Sequence, residues 1–301
     1  MRILVTGVTG QVGKALTERL YRLGDLIPAD RLVLNLAEPG TLPEALDRLS
    51  PDLIVNSAAY TAVDRAEDER DLAFTVNAEA PGVMARWASR MQVPLVHFST
   101  DYVFDGQGET PWREDSAPAP LSAYGASKLA GEEAIRAADG LHLIVRTSWV
   151  YAVTGVNFLR TIARLACERT ELKIVADQIG APTSGRVIAD AIAGILAADS
   201  TLLSQRFAKV NGLVNIAASG ETSWHGFAVR IVDGLRARGV KLAVQSIAPL
   251  RTEEYPTKAT RPHNSRLDLT RLNETLGLIT PSWTDSLEPE LDKLAREMRV
   301  E

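Results

Sequence analysis

The chain has 301 residues, 46% of them hydrophobic and 24% charged, which is enough for one large domain or for two that share an interface. Its 33 Lys and Arg against 38 Asp and Glu leave a net charge of −5, which argues against a nucleic-acid scaffold with a basic face. Apolar runs stay short of the ~20 residues that cross a bilayer, Cys167 alone permits no intrachain disulfide and fits a reducing, cytoplasmic compartment, and His97, His142, His225 and His263 lack the helical spacing of a zinc site.

Met1–Gly7 runs straight into a strand pattern without a cleavage site, so no signal peptide is expected. Residues 2–6 predict a strand, 11–23 a helix, 25–29 a second strand and 52–57 a third. Residues 67–91 are helical with a split or kink at Pro81. A strand over 93–99, a helix over 122–138 and a strand over 141–146 follow. Short apolar strands alternating with helices indicate βαβ units and a parallel sheet covered on both faces. The expected fold class is α/β, a Rossmann doubly wound parallel sheet with a smaller, interleaved C-terminal α/β substrate lobe.

Beyond residue 150 the alternation loosens. Helices are expected over 157–169, 184–198, 223–238 and 284–299, and strands over 172–176, 213–217 and 242–246. The division expected is a dinucleotide-binding domain over 1–151, with roughly 184–217 returning to it, and a substrate lobe over 152–183 and 218–301. There is no repeat or low-complexity tract.

Gly7-Val8-Thr9-Gly10-Gln11-Val12-Gly13 spaces its glycines as GxxGxxG between the first strand and the first helix. Glycines let the backbone turn tightly against a pyrophosphate, and the helix N-terminus offers free N–H groups and a partial positive charge. An acid after the second strand can hold the adenosine ribose hydroxyls, and Asp30 stands there. Arg31 follows it. The acid repels a 2′-phosphate and the arginine attracts one, so NADPH and NADH both stay open as cofactor.

Tyr124-Gly125-Ala126-Ser127-Lys128 has the YxxxK spacing, which places phenol and ammonium on one helix face. A lysine there is expected to lower the phenol's pKa and let it exchange a proton with a carbonyl or alcohol oxygen. Thr100, just past the fourth strand, lies at the carboxyl edge where open parallel sheets bind ligands, and its hydroxyl can donate to the same substrate oxygen.

With these residues in place the sequence resembles the dTDP-4-dehydrorhamnose reductase family of extended short-chain dehydrogenase/reductases over nearly its whole length. The resemblance rests on the glycine turn, Ala58–Asp64 (AAYTAVD), Ser99–Gly106 (STDYVFDG), Tyr124–Lys128 with Gly131-Glu132, Arg146–Tyr151 (RTSWVY), Asp177–Thr183 (DQIGAPT) and Arg261–Leu267 (RPHNSRL). It implies that Gly7, Gly10, Gln11, Val12 and Gly13 hold the pyrophosphate and that Asp30 and Arg31 lie by the ribose. Asn35, in place of the family's usual acid, and Leu36 would lie near the adenine. Ala59, Tyr60 and Thr61 would line the cofactor, and Lys128 would also hold the nicotinamide ribose. Thr100, Asp101 and Tyr102 would face the sugar beside Trp149, with Thr100, Tyr124 and Lys128 as the catalytic set and no metal. The partner implied is a small nucleotide-sugar substrate, with no nucleic acid and no membrane; a homodimer stays open. Arg251, Lys258 and Arg261 are candidates for the substrate phosphates.

Two alternatives remain at this point besides a reductase of another nucleotide sugar. The first is a nucleotide-sugar dehydratase or epimerase on the same scaffold; related dehydratases carry Asp-Glu after the strand-end threonine, whereas here Asp101 is followed by Tyr102. The regulatory subunit of methionine adenosyltransferase shares the resemblance without catalysis, and the intact Thr100, Tyr124 and Lys128 favour an enzyme.

Overall fold

The computed structural model describes residues 1–197 and 200–300. Five strands carry the N-terminal half: β1 (Arg2–Thr6), β2 (Asp25–Ala29), β3 (Leu53–Asn56), β4 (Leu95–Thr100) and β5 (His142–Thr147). With Leu213–Asn215 they form a six-stranded sheet, all parallel, in the order Leu213–Asn215, β5, β4, β3, β1, β2. Pro28, which cannot donate to a ladder, is tolerated because β2 is the edge strand. The chain winds outward from β1 to β2 and then reverses to β3, so the strand order switches between β1 and β3, where a crevice opens at the carboxyl ends.

Alternate strand residues feed two apolar layers. Ile3, Val5, Leu53, Val55, Val96 and Val145 pack under α1 (Gln11–Leu20) and the helix Gly185–Leu196. Leu4, Ile54, Leu95 and Ile144 pack on the other face, against Ala45 and Leu46 of the helix Leu42–Leu49 and Met84 and Trp87 of Ala80–Met91. A third core joins the helices Phe158–Glu168, Trp224–Ala237 and Trp283–Val300 to the parallel pair Glu171–Val175 and Ser246–Leu250.

Several elements depart from the sequence expectation. The first helix ends at Leu20 rather than residue 23. The expected helix over 67–91 is a short turn at Arg65–Glu67, a helix Arg70–Phe74, a π turn at Thr75–Glu79 and the helix Ala80–Met91, because the ring and missing N–H of Pro81 interrupt the α-helical ladder there. The strand expected at 242–246 forms instead at Ser246–Leu250. The N–H groups of Ala243 and Val244 cap the helix Phe158–Glu168 at Ala166, so pairing starts only after them. The helix Ser200–Lys209 was not expected, and Ala198, the last residue of the helix expected over 184–198, lies outside the described residues. Among the described residues no helix is long and apolar enough to cross a membrane, and no group of His, Cys, Asp and Glu is placed to hold a metal ion.

Candidate active site

A cleft of about 900 Å³ opens at the carboxyl ends of β1, β3, β4 and β5. The glycine turn forms its floor. Gly7 has φ +67°, and a Cβ on it would stand 2.8 Å from the Ala58 nitrogen; one on Gly13 would stand 2.1 Å from the Gly7 carbonyl oxygen. Only glycine permits this approach of helix, strand and neighbouring loop. Gly10 caps α1 without any side-chain bond to its first N–H groups, and no acid lies in its first turn. That end of the helix keeps its donors and its positive dipole for an anion, and Gln11 and Val12 line the same wall.

Asp30 and Arg31 reach the cleft from the end of β2 with Leu36 beside them. One Asp30 oxygen accepts from the Leu32 and Val33 N–H groups at 2.9 and 3.2 Å, which fixes its direction. Arg31 is exposed. Asn35 does not line the cleft. Its amide donates to Glu38 and accepts from the Ala37 N–H. Ala59, Tyr60 and Thr61 form the wall after β3. Asn77 holds that loop by accepting from Tyr60 N–H at 2.8 Å and donating to Tyr60 O at 3.0 Å. It also donates to Ser127 Oγ at 2.9 Å, which ties the loop to the helix that carries Tyr124. No sequence pattern marked Asn77.

Thr100 ends β4 and caps the turn after it, accepting from Tyr102 N–H at 3.2 Å, while its hydroxyl donates to Asp101 at 3.0 Å. Ser122 caps the helix Ala123–Ala137, and the first turn brings Tyr124 beside Tyr102, ring centroids 5.5 Å apart. Thr100, Asp101, Tyr102, Tyr124 and Lys128 therefore meet on one wall. Burial pushes the Asp101 carboxyl up to about 6, opposed by the neighbouring Ser265 and Thr100 hydroxyls, of which Thr100 donates to it. Burial also drives the Tyr124 phenol well above its ordinary range, with the Thr100 hydroxyl acting in the opposite direction. This reverses the expectation of a lysine-lowered phenol. Lys128 is buried too, which lowers it to about 8, and its Nζ lies 3.1 Å from His97 Nε2.

Trp149 faces this wall in a left-handed conformation, φ +48°, and stacks on Trp224 at 3.7 Å between centroids. Gly180 lies against its indole, where a Cβ would stand 2.6 Å from Trp149 Cε2. Thr147 and Ser148 bring buried hydroxyls to the cleft that have no hydrogen-bond partner among the described residues. A glycine cradle, an uncapped helix end and orphaned hydroxyls in one cleft fit a bound dinucleotide.

Other motif residues have structural work. Asp177 accepts from the N–H and hydroxyl of Thr252, and Gln178 donates to the same hydroxyl, so both staple neighbouring strands instead of lining the cleft. The three cations considered for substrate phosphates are not among the lining residues, although Arg261 bonds one of them. Lys258 pairs with Asp68, Arg261 pairs with Asp64 at 2.5 Å and donates to the Tyr102 hydroxyl at 3.2 Å, and Arg251 starts the turn Thr252–Glu254.

The family profile described as RmlD substrate binding domain matches residues 1–296. A dTDP-4-dehydrorhamnose reductase of Burkholderia thailandensis is 47% identical over 287 residues, 94% of this chain and 95% of that one. A solved dTDP-4-dehydrorhamnose reductase of Clostridium acetobutylicum superposes with a TM-score of 0.87 at 35% identity, covering 98% of this chain and 99% of the other. One from Bacillus anthracis, in complex with NADP, does so with the same score and identity over 97% and 99%.

Proposed function

The chain belongs to the RmlD substrate-binding-domain family, and on that premise we propose that it reduces the C4 keto group of dTDP-4-dehydrorhamnose, giving dTDP-L-rhamnose, with NADPH or NADH. The observation that carries this reading is the meeting of Thr100, Tyr124, Lys128 and Trp149 with the glycine turn in one cleft.

Gly10, Gln11, Val12 and Gly13 would hold the pyrophosphate, Asp30 and Arg31 the adenosine ribose, and Ala59–Thr61 and Lys128 the remaining length of the cofactor. When bound, the dihydronicotinamide supplies the hydride. Thr100 turns its hydroxyl from Asp101 to the substrate oxygen and stabilises negative charge as it develops there. Tyr124 donates the proton to that oxygen. A phenol kept above its ordinary range stays protonated until it is needed, and Lys128, in its protonated state, would offset the phenolate left behind. Asp101 faces the sugar and Trp149 packs beside it.

Elimination of water would need a second acid or base next to Asp101. Tyr102 occupies that place, but burial raises its phenol and Arg261 engages its hydroxyl. The residues present suffice for reduction and fall short for dehydration. A nucleotide-sugar substrate and the single Cys167 support work in the cytoplasm.

Offering dTDP-4-dehydrorhamnose and dTDP-glucose separately with NADPH tests the assignment. Cofactor consumption with the keto sugar alone, and a rhamnose product by NMR, is expected. A 4-keto-6-deoxy product from dTDP-glucose without net cofactor change would overturn it, and binding of NADPH with no turnover of either sugar would favour a regulatory subunit.

A further inference from the structure

Three side chains that the reaction above does not use lie in a row near Lys128. Thr6, Asn56 and His97 are register partners across β1, β3 and β4, so they emerge on the same face of the sheet. Two residues earlier on each strand that face is apolar, with Leu4, Ile54 and Leu95. All three polar residues are at most 1% exposed. Buried polar groups are costly unless bonded, and these bond one another. Ala58 N–H donates to Thr6 Oγ1 at 3.2 Å, and the Thr6 hydroxyl donates to Asn56 Oδ1 at 2.5 Å. Asn56 Nδ2 lies 3.0 Å from His97 Nδ1, and the far ring nitrogen is the one in contact with Lys128 Nζ.

The proton count in this row is constrained. A bond between two nitrogens needs one donor and one acceptor. An ammonium only donates, and a neutral imidazole has a single N–H. Thr6 accepts from the backbone, so its own proton goes to Asn56 Oδ1. Asn56 then presents Nδ2 to the ring, Nδ1 accepts, and the ring proton stands on Nε2, pointing at Lys128. That arrangement matches a lysine amine. An ammonium needs the ring proton on Nδ1 and the Asn56 amide turned to offer its oxygen, which removes the acceptor from Thr6.

We propose that the Thr6–Asn56–His97 row is a positioning device for the reductase reading on which it rests: a proton on His97 Nε2 and a positive charge on Lys128 exclude one another, so that the ring tautomer and the lysine charge change together, with the row as built favouring the amine. Burial holds His97 well below its ordinary range, and this keeps the ring neutral through the transition. The ionisable groups around Lys128 are His97 from β4 and, on its own helix, Tyr124 and Glu132, with Asp101 and Tyr102 next to Tyr124. Glu132 is ion-paired with Arg136 and Arg146. β1 and β3 contribute only Thr6 and Asn56 to the row, and the 75–79 turn contributes Asn77, which bonds Ser127.

NMR of the intact protein with labelled histidine, titrated between about pH 6 and 10, reads the tautomer directly. The His97 ring should stay neutral, with the proton on Nε2 above and on Nδ1 below a midpoint that coincides with the basic limb of kcat/KM. A single tautomer across the range, or an imidazolium at neutral pH, overturns the proposal. Asn56→Asp places a carboxylate that accepts from Nδ1–H at every pH, frees Nε2 for the ammonium and should move the basic limb up by about one pH unit or more. A folded, active Asn56→Asp protein with an unmoved limb also overturns it. Full activity in Lys128→Met would instead sink the catalytic role of the lysine while leaving the tautomer titration intact, so the two failures are separable.

Discussion

Replacing Lys128 by methionine should remove activity and, at neutral pH, raise stability or leave it unchanged. Burial lowers the lysine from 10.5 to about 8. At about 1.36 kcal/mol per tenfold change in proton affinity, the folded state carries about 3 kcal/mol of cost when the side chain is charged. Methionine fills similar space without the charge but leaves His97 Nε2 without its partner, which costs about 1–3 kcal/mol. The net expectation at pH 7 is a gain of about 0–2 kcal/mol, or up to about 4 °C in Tm for a chain of this size. The pH dependence gives the sharper test. The folded pKa lies below the unfolded one, so between about 8 and 10.5 the unfolded state binds more protons and wild-type stability rises with pH. The advantage of the variant should be full below pH 8 and gone near 10.5, where only its unsatisfied histidine remains. Thermal melts of both proteins at about pH 7 and 10 measure this. A variant less stable than wild type by more than about 1 kcal/mol at pH 7, or a gap that does not change with pH, would refute the reasoning.

Tyr124→Phe should lower kcat by ~10²–10⁴ with NADPH affinity unchanged, since the ring keeps its contact with Tyr102; retention of more than about a tenth of wild-type kcat would exclude the phenol as proton donor. Arg31→Ala should weaken NADPH about tenfold, ~1.4 kcal/mol, and leave NADH nearly unaffected, and equal losses for both cofactors would place Arg31 away from the 2′-phosphate. Gly180→Ala puts a Cβ 2.6 Å from Trp149 Cε2. It should cost about 1–3 kcal/mol of stability and raise KM for the sugar more than KM for NADPH, and unchanged sugar kinetics would show that Trp149 does not contact the sugar.

The parts of the fold legible in the chain are those encoded locally. The GxxGxxG turn, the apolar strands and the YxxxK helix each combine a period with a turn signal, and the parallel sheet and its cleft follow from them. The boundaries that slipped have tertiary causes. Residues 242–246 contain a strand-like run, but Val240 and Val244 are drawn into the lobe core while two of its N–H groups cap a helix elsewhere. Pro81 was a visible disturbance, but whether it yields a kink or a π turn depends on what packs around it.

Local patterns along the chain fix which chemistry is available: a glycine-lined helix end for a dinucleotide, a strand-end hydroxyl, and a phenol four residues before a lysine. The surroundings of these groups, and with them their proton affinities, come from long-range packing. Burial, which no local pattern reports, raised the phenol and lowered the lysine. Strand register set Thr6, Asn56 and His97 in one row though they lie up to 91 positions apart along the chain. Long-range pairing likewise occupied Lys258 and Arg261 with Asp68 and Asp64, because the free energy of a cation depends on which carboxylate the fold brings to it, and spacing along the chain carries no record of that.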